Sequence, residues 1–579
     1  MRPVVAPTLL LFLCAGLLAC DRTPTGDIAA PAGSAATPAA SDAARIEADV
    51  RALADDAMEG RQTATAGYDR AADYVAARYA EAGLAPGGDG GTYFQAVPLL
   101  RATLLADGAR FEVRRDGQTI ALAFQREFLP RASFHTADAA VQAPAVFVGQ
   151  AVHAPELDHD DFAGLDLRGK IAVLFGGAPS SFPGTQRAFH ASQREKLRHI
   201  TERGAVGAVF VNTAADEVRM PWARAAGNWD TPTMRLRGPG GAPIDGWPQL
   251  QVIAAVSASA ADALFAGGDQ SAAMLFDAAN RGALRGFDLP GTLSLAGRSA
   301  IAPVQSRNVV GRLPGSDPAL VAEHVVLTAH LDHLGIGAAV KGDRIYNGAI
   351  DNALGVAIML EAARTVRAAT PAPLRSLLFV ALTGEEQGLL GAEWFATYPT
   401  VARAGLVANI NLDMPVLTAP SSDIVPIGVE HSSLKAVVTA AAAEIGVGVS
   451  ADPFPEEVVF VRSDQYAFVR AGIPAVYLDG GVVSADGERD PKVALTYFLR
   501  NCYHQPCDDA DQPIQYGDAA RLARLAANIG TRVGNAPARP TWNAGDFFGG
   551  RFGGAAIASG PDARAAEATT PGAAGASVD

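Results

Sequence analysis

From Ser306 onward, apolar runs of strand length alternate with amphipathic runs of helix length. HVVLTA, SLLFVAL, LVANINL and AVYLD read as strands, and GVAIMLEAARTV and LKAVVTAAAAEIG as helices. Strands apolar at every position must be covered on both faces, and the interleaved helices supply that cover. The expected fold is α/β, a mostly parallel mixed sheet with helices on both faces. At 579 residues the chain exceeds one ordinary core, so further domains are expected.

In open α/β sheets, ligands gather beyond the carboxyl ends of the strands. HVVLTA runs into His330 and Asp332, SLLFVALTG into the adjacent pair Glu385 and Glu386, and LVANINL into Asp413. Asp351 precedes the helix GVAIMLEAARTV, and His504 lies in NCYHQPCDD near the end of the α/β region. Two neighbouring carboxylates repel one another and require a positive partner or a shared proton. A pair of zinc ions meets that requirement. Asp351 would bridge the two ions, His330 and Asp413 would complete one, and Glu386 and His504 the other. With a shared water, each ion then has four ligands. Three carboxylates and a bridging hydroxide offset the four positive charges. Glu385 is left over, and alternation along an extended segment turns it away from its neighbour. It is the expected general base, and later the acid to the leaving group. Two zinc ions about 3.5–4 Å apart activate water and polarise a carbonyl, the chemistry of peptide or ester hydrolysis. Asp332 is expected to fix the tautomer of His330 from behind.

The other regions frame this unit. MRPVVAPTLLLFLCAGLLAC has an early Arg, an apolar run and small residues before Cys20, the pattern of a secretory signal. Leu17-Leu18-Ala19-Cys20 looks like a bacterial lipobox, which implies a lipid on Cys20 and a membrane-anchored protein exported to the periplasm. Asp21 resembles a signal for inner-membrane retention. The expected boundaries are 1–19 leader, 20–42 flexible tether, 43–110 and 301–536 two parts of a catalytic domain, 111–300 a smaller β-rich insert, and 537–579 a disordered tail. Export to an oxidising compartment allows a disulfide between Cys502 and Cys507 around Tyr503 and His504. The net charge of −14 argues against a nucleic-acid partner. Of the 10 histidines, His135, His153, His159, His190, His199 and His431 read as structural or solvated, His324 as surface, and His333 is set aside as a ligand.

His330-x-Asp332, Asp351-Asn352, Glu385-Glu386, the Asn-Leu-Asp ending at Asp413 and Tyr503-His504 resemble, in order and setting, metallopeptidase family 28. GRQTATAGYDRAADYVAARYAEAGL resembles the family's opening helices, and DLRGKIAVLF followed by GAVGAVFV resembles an inserted protease-associated domain. The resemblance implies a zinc-exopeptidase fold and the same metal ligands. It also implies that Tyr503 hydrogen-bonds the oxyanion, that Arg462 orients substrate, and that Ser463 and Asp464 shape the pocket. Gln465 departs from the family pattern, where His is common. The expected activity is that of an aminopeptidase acting on peptides. A carboxypeptidase of the same fold is the alternative, and a non-catalytic binding protein a remote one.

Overall fold

The structure, a computed structural model, describes residues 38–554. The expected leader, the lipidated Cys20, most of the tether and residues 555–579 of the tail lie outside the described residues. Among the described residues no helix is long and apolar enough to cross a membrane.

Two helices open the described chain, α1 (Pro38–Leu53) and α2 (Ala66–Glu81). A long strand β1 (Phe94–Arg115) follows, then β2 (Asp138–Phe147), β3 (Ile171–Phe175), helix α3 (Gln193–Glu202), β4 (Gly207–Val211), β5 (Thr233–Leu236) and β6 (Val252–Val256). A second long strand, β7 (Phe287–Leu313), leads into the α/β rhythm read from the sequence. That part runs through β8 (His324–His330), α4 (Gly355–Ala368), β9 (Ser376–Leu382), α5 (Leu390–Thr397), β10 (Leu406–Asn411), β11 (Asp423–Ile427), α6 (Leu434–Glu444), β12 (Ala475–Asp479), α7 (Pro491–Asn501), α8 (Tyr516–Asn535) and α9 (Phe547–Phe552).

The sheet order is β11-β12-β10-β8-β9-β7-β2-β3-β4-β6. β9, β8, β10 and β12 form a parallel block. Its strands are buried almost throughout because successive residues face different cores. Leu377, Phe379 and Ala381 of β9 join the cluster under α4, α6 and α8, while Leu378, Val380 and Leu382 pack with Phe395 and Phe468 on the other face.

Residues 111–300 are less separate than the sequence suggests. They do hold apolar clusters of their own, around Phe147, Val173 and Val209 and around Val146, Leu174 and Phe210. However, their parallel block β2-β3-β4-β6 continues the sheet of β8, β9, β10 and β12 through β7, which pairs antiparallel with both β2 and β9. β1 runs beside β7 from Phe94 to Arg114, so two long strands belong to both halves. The expected boundaries at 110 and 300 thus fall inside strands.

The expected tether and tail also need correction. α1 starts at Pro38, inside the expected tether, and Asp42 at the tether's end pairs with Arg45 at 2.6 Å. Residues 537–554 are ordered by aromatic anchors. Phe548 is fully buried, Trp542 Nε1 donates to Gly472 O at 3.0 Å, and Asp546 lies 2.6 Å from His431 Nδ1.

Candidate functional site

β8 ends at His330, the glutamate pair stands three residues past β9, and Asp413 two past β10. The five expected ligands converge. His330 Nε2 is 2.9 Å from Asp413 Oδ1 and 3.2 Å from Asp351 Oδ1. His504 Nε2 is 3.3 Å from Asp351 Oδ2 and 3.2 Å from Glu386 Oε2. The two oxygens of Asp351 therefore face different histidines, as a bridging carboxylate requires.

His333, set aside as a ligand in the sequence reading, must be added to this cluster. Its ring is fully buried, with Nδ1 2.9 Å from Glu386 Oε1 and 3.9 Å from Asp351 Oδ2. Among the described residues two clusters can hold a cation, His330 with Asp351 and Asp413, and His333 with Asp351 and Glu386. Both ring nitrogens of His333 and Glu386 Oε1 are buried without a hydrogen bond. Buried polar atoms left without a well-aligned hydrogen bond are costly. A nitrogen and oxygen donor set with orphaned atoms aimed inward fits zinc.

The adjacent glutamates are shifted in opposite directions. Burial opposes ionisation of both. His504 and His333 nevertheless bring Glu386 down to about 2, while Asp413 and Glu386 push Glu385 well above the usual carboxylate range. Burial also disfavours charge on the imidazoles, but Asp413 and Asp351 raise His330 strongly and Glu386 and Asp351 bring His504 to about 10. The two neighbours are thus pushed in opposite directions, the separation that acid–base roles require.

Asp332 acts differently from expectation. Its backbone carbonyl, 3.0 Å from His330 Nδ1, orients that ring, whereas its carboxylate is 3.9 Å away. The carboxylate instead accepts the N–H groups of Glu385 at 3.1 Å and Glu386 at 3.3 Å, and the Thr63 hydroxyl at 3.0 Å. It is a cradle for the glutamate loop. Asp508 does the same for Asp351, accepting from Ile350 N at 2.8 Å and Asp351 N at 3.0 Å. Ser463 Oγ donates to Asp413 Oδ2 at 2.5 Å. Gln465, in place of the expected His, is buried and structural, accepting from Asn411 Nδ2 and donating to Phe460 O, both at 2.9 Å. Asp464 is fully buried, and neither of its carboxylate oxygens has a hydrogen-bond partner.

Tyr503 stacks on His504 with ring centroids 3.8 Å apart. It lines a cavity of about 430 Å³ together with Glu385, Glu386 and Arg462. Arg462 is not brought to the carboxylate cluster. Its side chain is 53% exposed and its nearest carboxylate is Glu457, at 3.4 Å, because it ends a short turn at the cavity rim. His324 is buried rather than on the surface, and burial lowers its pKa to about 4. Cys502 and Cys507 are disulfide-bonded, closing the turn that carries Tyr503 and His504.

The sequence reading missed Arg61. It is fully buried, and its guanidinium donates to the carbonyls of Leu331 at 2.9 Å, Leu53 at 2.6 Å, Asn347 at 2.5 Å and Gly348 at 2.8 Å. It thereby ties the turn after His330 to the turn before Asp351. The only hint in the sequence is an arginine in the short, Gly-flanked link between the opening helices.

The sequence profile of Peptidase family M28 matches residues 308–530. A probable zinc metalloprotease of Pyrenophora teres f. teres (strain 0-1) is 40% identical over 116 residues, which is 20% of this chain and 23% of that protein. Leupeptin-inactivating enzyme 1 of Streptomyces exfoliatus is 27% identical over 206 residues, 35% of this chain and 42% of that protein. Each match spans less than half of the relative's own length. Among solved structures, an aminopeptidase from Aneurinibacillus sp. strain AM-1 aligns with a TM-score of 0.49 at 18% identity, covering 86% of this chain and 95% of the other. The matched segment contains every residue of the cluster, from His330 to His504, so the part of the chain that carries the site is the part similar to peptidase family M28.

Proposed function

We propose that this chain is a zinc metallopeptidase that uses two zinc ions, and that it acts as an exported aminopeptidase. The observation that carries the reading is the convergence of His330, Asp351, Asp413, Glu386 and His504, with the orphaned atoms of Glu386 and His333 pointing into the same space. Bound there, zinc would supply Lewis acidity and lower the pKa of water.

The chain's own residues do the rest. Glu385, at the cavity edge and free of a metal-ligand role, takes the proton of the attacking water and returns it to the leaving amine. Asp332 holds the glutamate loop through two backbone N–H groups, so Glu385 is aimed without constraining its carboxylate. The Tyr503 hydroxyl lines the same cavity and is suited to donate to the oxygen that gains charge. Burial raises its pKa, which keeps it protonated as a donor. Carboxylates beside the cavity suit a substrate ammonium, which favours the aminopeptidase reading. Export and lipidation rest on the leader composition and belong to the same proposal.

Chelation should abolish hydrolysis of aminoacyl anilides, and added zinc should restore it. Activity that survives a strong chelator argues against the metal reading. Acetylating the N-terminus of a short peptide should reduce its cleavage by at least about 100-fold, the loss expected when a buried charge is left unpaired. Equal cleavage of free and acetylated peptides would instead favour a carboxypeptidase.

A further inference from the structure

The insert touches the glutamate loop at Gln387 and grips the helix that follows it, α5, at Leu390 and Glu393. The backbone N–H of Met234, on β5, donates to Gln387 Oε1 at 3.1 Å, and Gln387 directly follows Glu386. Met234 and Leu236 pack with Val97 and Leu99 of β1 against Leu390, where α5 begins. From α3, Arg194 Nη1 donates to Glu393 Oε1 at 2.8 Å, and Arg470 donates to the same oxygen at 2.5 Å. A carboxylate on α5 is therefore shared between the insert and the peptidase half.

The segment gripped in this way is short and irregular. Gly384, Gly388 and Leu389 all have positive φ, at 69°, 105° and 63°. For Leu389 that conformation is strained and persists only where the surroundings impose it. Asp332 holds the loop from one side, and β5, β1 and Arg194 hold its continuation from the other. The cavity beside Glu385 and Tyr503 has Arg194, Arg235 and Trp247 of the insert on its far wall.

We infer that the insert is a positioning element of the active site, fixing the Glu385–Glu386 loop through Gln387 and Arg194. Turnover then depends on residues outside 308–530. The inference rests on the peptidase reading but concerns a different part of the molecule. Neither Gln387 nor Arg194 needs to touch substrate. A misplacement of about 1 Å is enough to cost about 10²-fold in rate.

The test uses the zinc-loaded full-length chain and the variants Gln387→Leu, Arg194→Met and Arg194→Lys. Gln387→Leu and Arg194→Met should each lower kcat by about 10- to 100-fold, with KM changing less than about threefold and zinc content unaltered. Arg194→Lys keeps a cation against Glu393 and should recover most of the loss. In the zinc-free protein, amides of Gly384–Leu389 should exchange faster in Gln387→Leu than in the wild type. A contact with only a structural role would lower the melting temperature and leave kcat and loop exchange unchanged, which overturns the inference. A rise in KM with kcat intact also overturns it, marking the insert as a substrate wall. An inactive wild type sinks the peptidase reading, whereas an active wild type with unaffected variants sinks this inference alone.

Discussion

Glu385→Gln should keep its zinc and lose about 10²–10⁴ in kcat, the usual contribution of a positioned general base. The substitution conserves size and leaves the loop's anchors in place, since Asp332 grips the backbone N–H groups of residues 385 and 386 rather than the Glu385 side chain. Because the Glu385 side chain is not one of the expected ligands, metal affinity should hold while turnover collapses. Parallel measurement of zinc content and kcat separates the two effects. A rate within about tenfold of the wild type removes Glu385 from the role of base. Loss of zinc alongside the rate would show that it acts as a ligand.

That prediction could be made from the sequence alone, and the reason is physical. His330, Glu386 and Asp413 stand at or just past the ends of apolar strands, and the α/β alternation fixes those ends on one sheet edge. Charge balance then divides them into ligands and base. What the sequence hid were interactions that run through the backbone. The Asp332 carboxylate was expected behind His330, yet peptide N–H groups, which leave no mark in a sequence, draw it to the glutamate loop. His333 was passed over because histidines are common and its partners, Glu386 and Asp351, are distant in the chain. The insert's strands looked independent because nothing in 94–115 or 287–313 announces that each is one continuous strand shared by both halves. Phe548 was read as tail because glycines surround it, although its ring is buried against Phe460 and Tyr466.

Arg61 is the strongest case of such hidden architecture, and Arg61→Met should be among the most disruptive single changes away from the metal ligands. Four backbone carbonyls from three separate segments accept from this one guanidinium, and of them Gly348 O also accepts the Ala353 N–H. Methionine fills much of the volume but offers no donor. Each carbonyl left bare in the interior costs about 1–3 kcal/mol. The relief of no longer burying a charge offsets part of that sum, since burial already depresses the arginine's pKa to about 10. A net loss on the order of 5 kcal/mol follows. Lysine would not substitute well, because a point charge cannot span acceptors arranged for a planar fork. Thermal unfolding of the zinc-free protein should show a midpoint lower by at least about 5 °C. Any protein that does fold should bind zinc more weakly by about 10- to 100-fold, because the turns bearing His330 and Asp351 are no longer tied together. A variant with an unchanged midpoint and unchanged zinc affinity would mean that the two turns hold their spacing without the guanidinium. The cluster would then owe its shape to Asp332 and Asp508 alone, each of which supports a single loop.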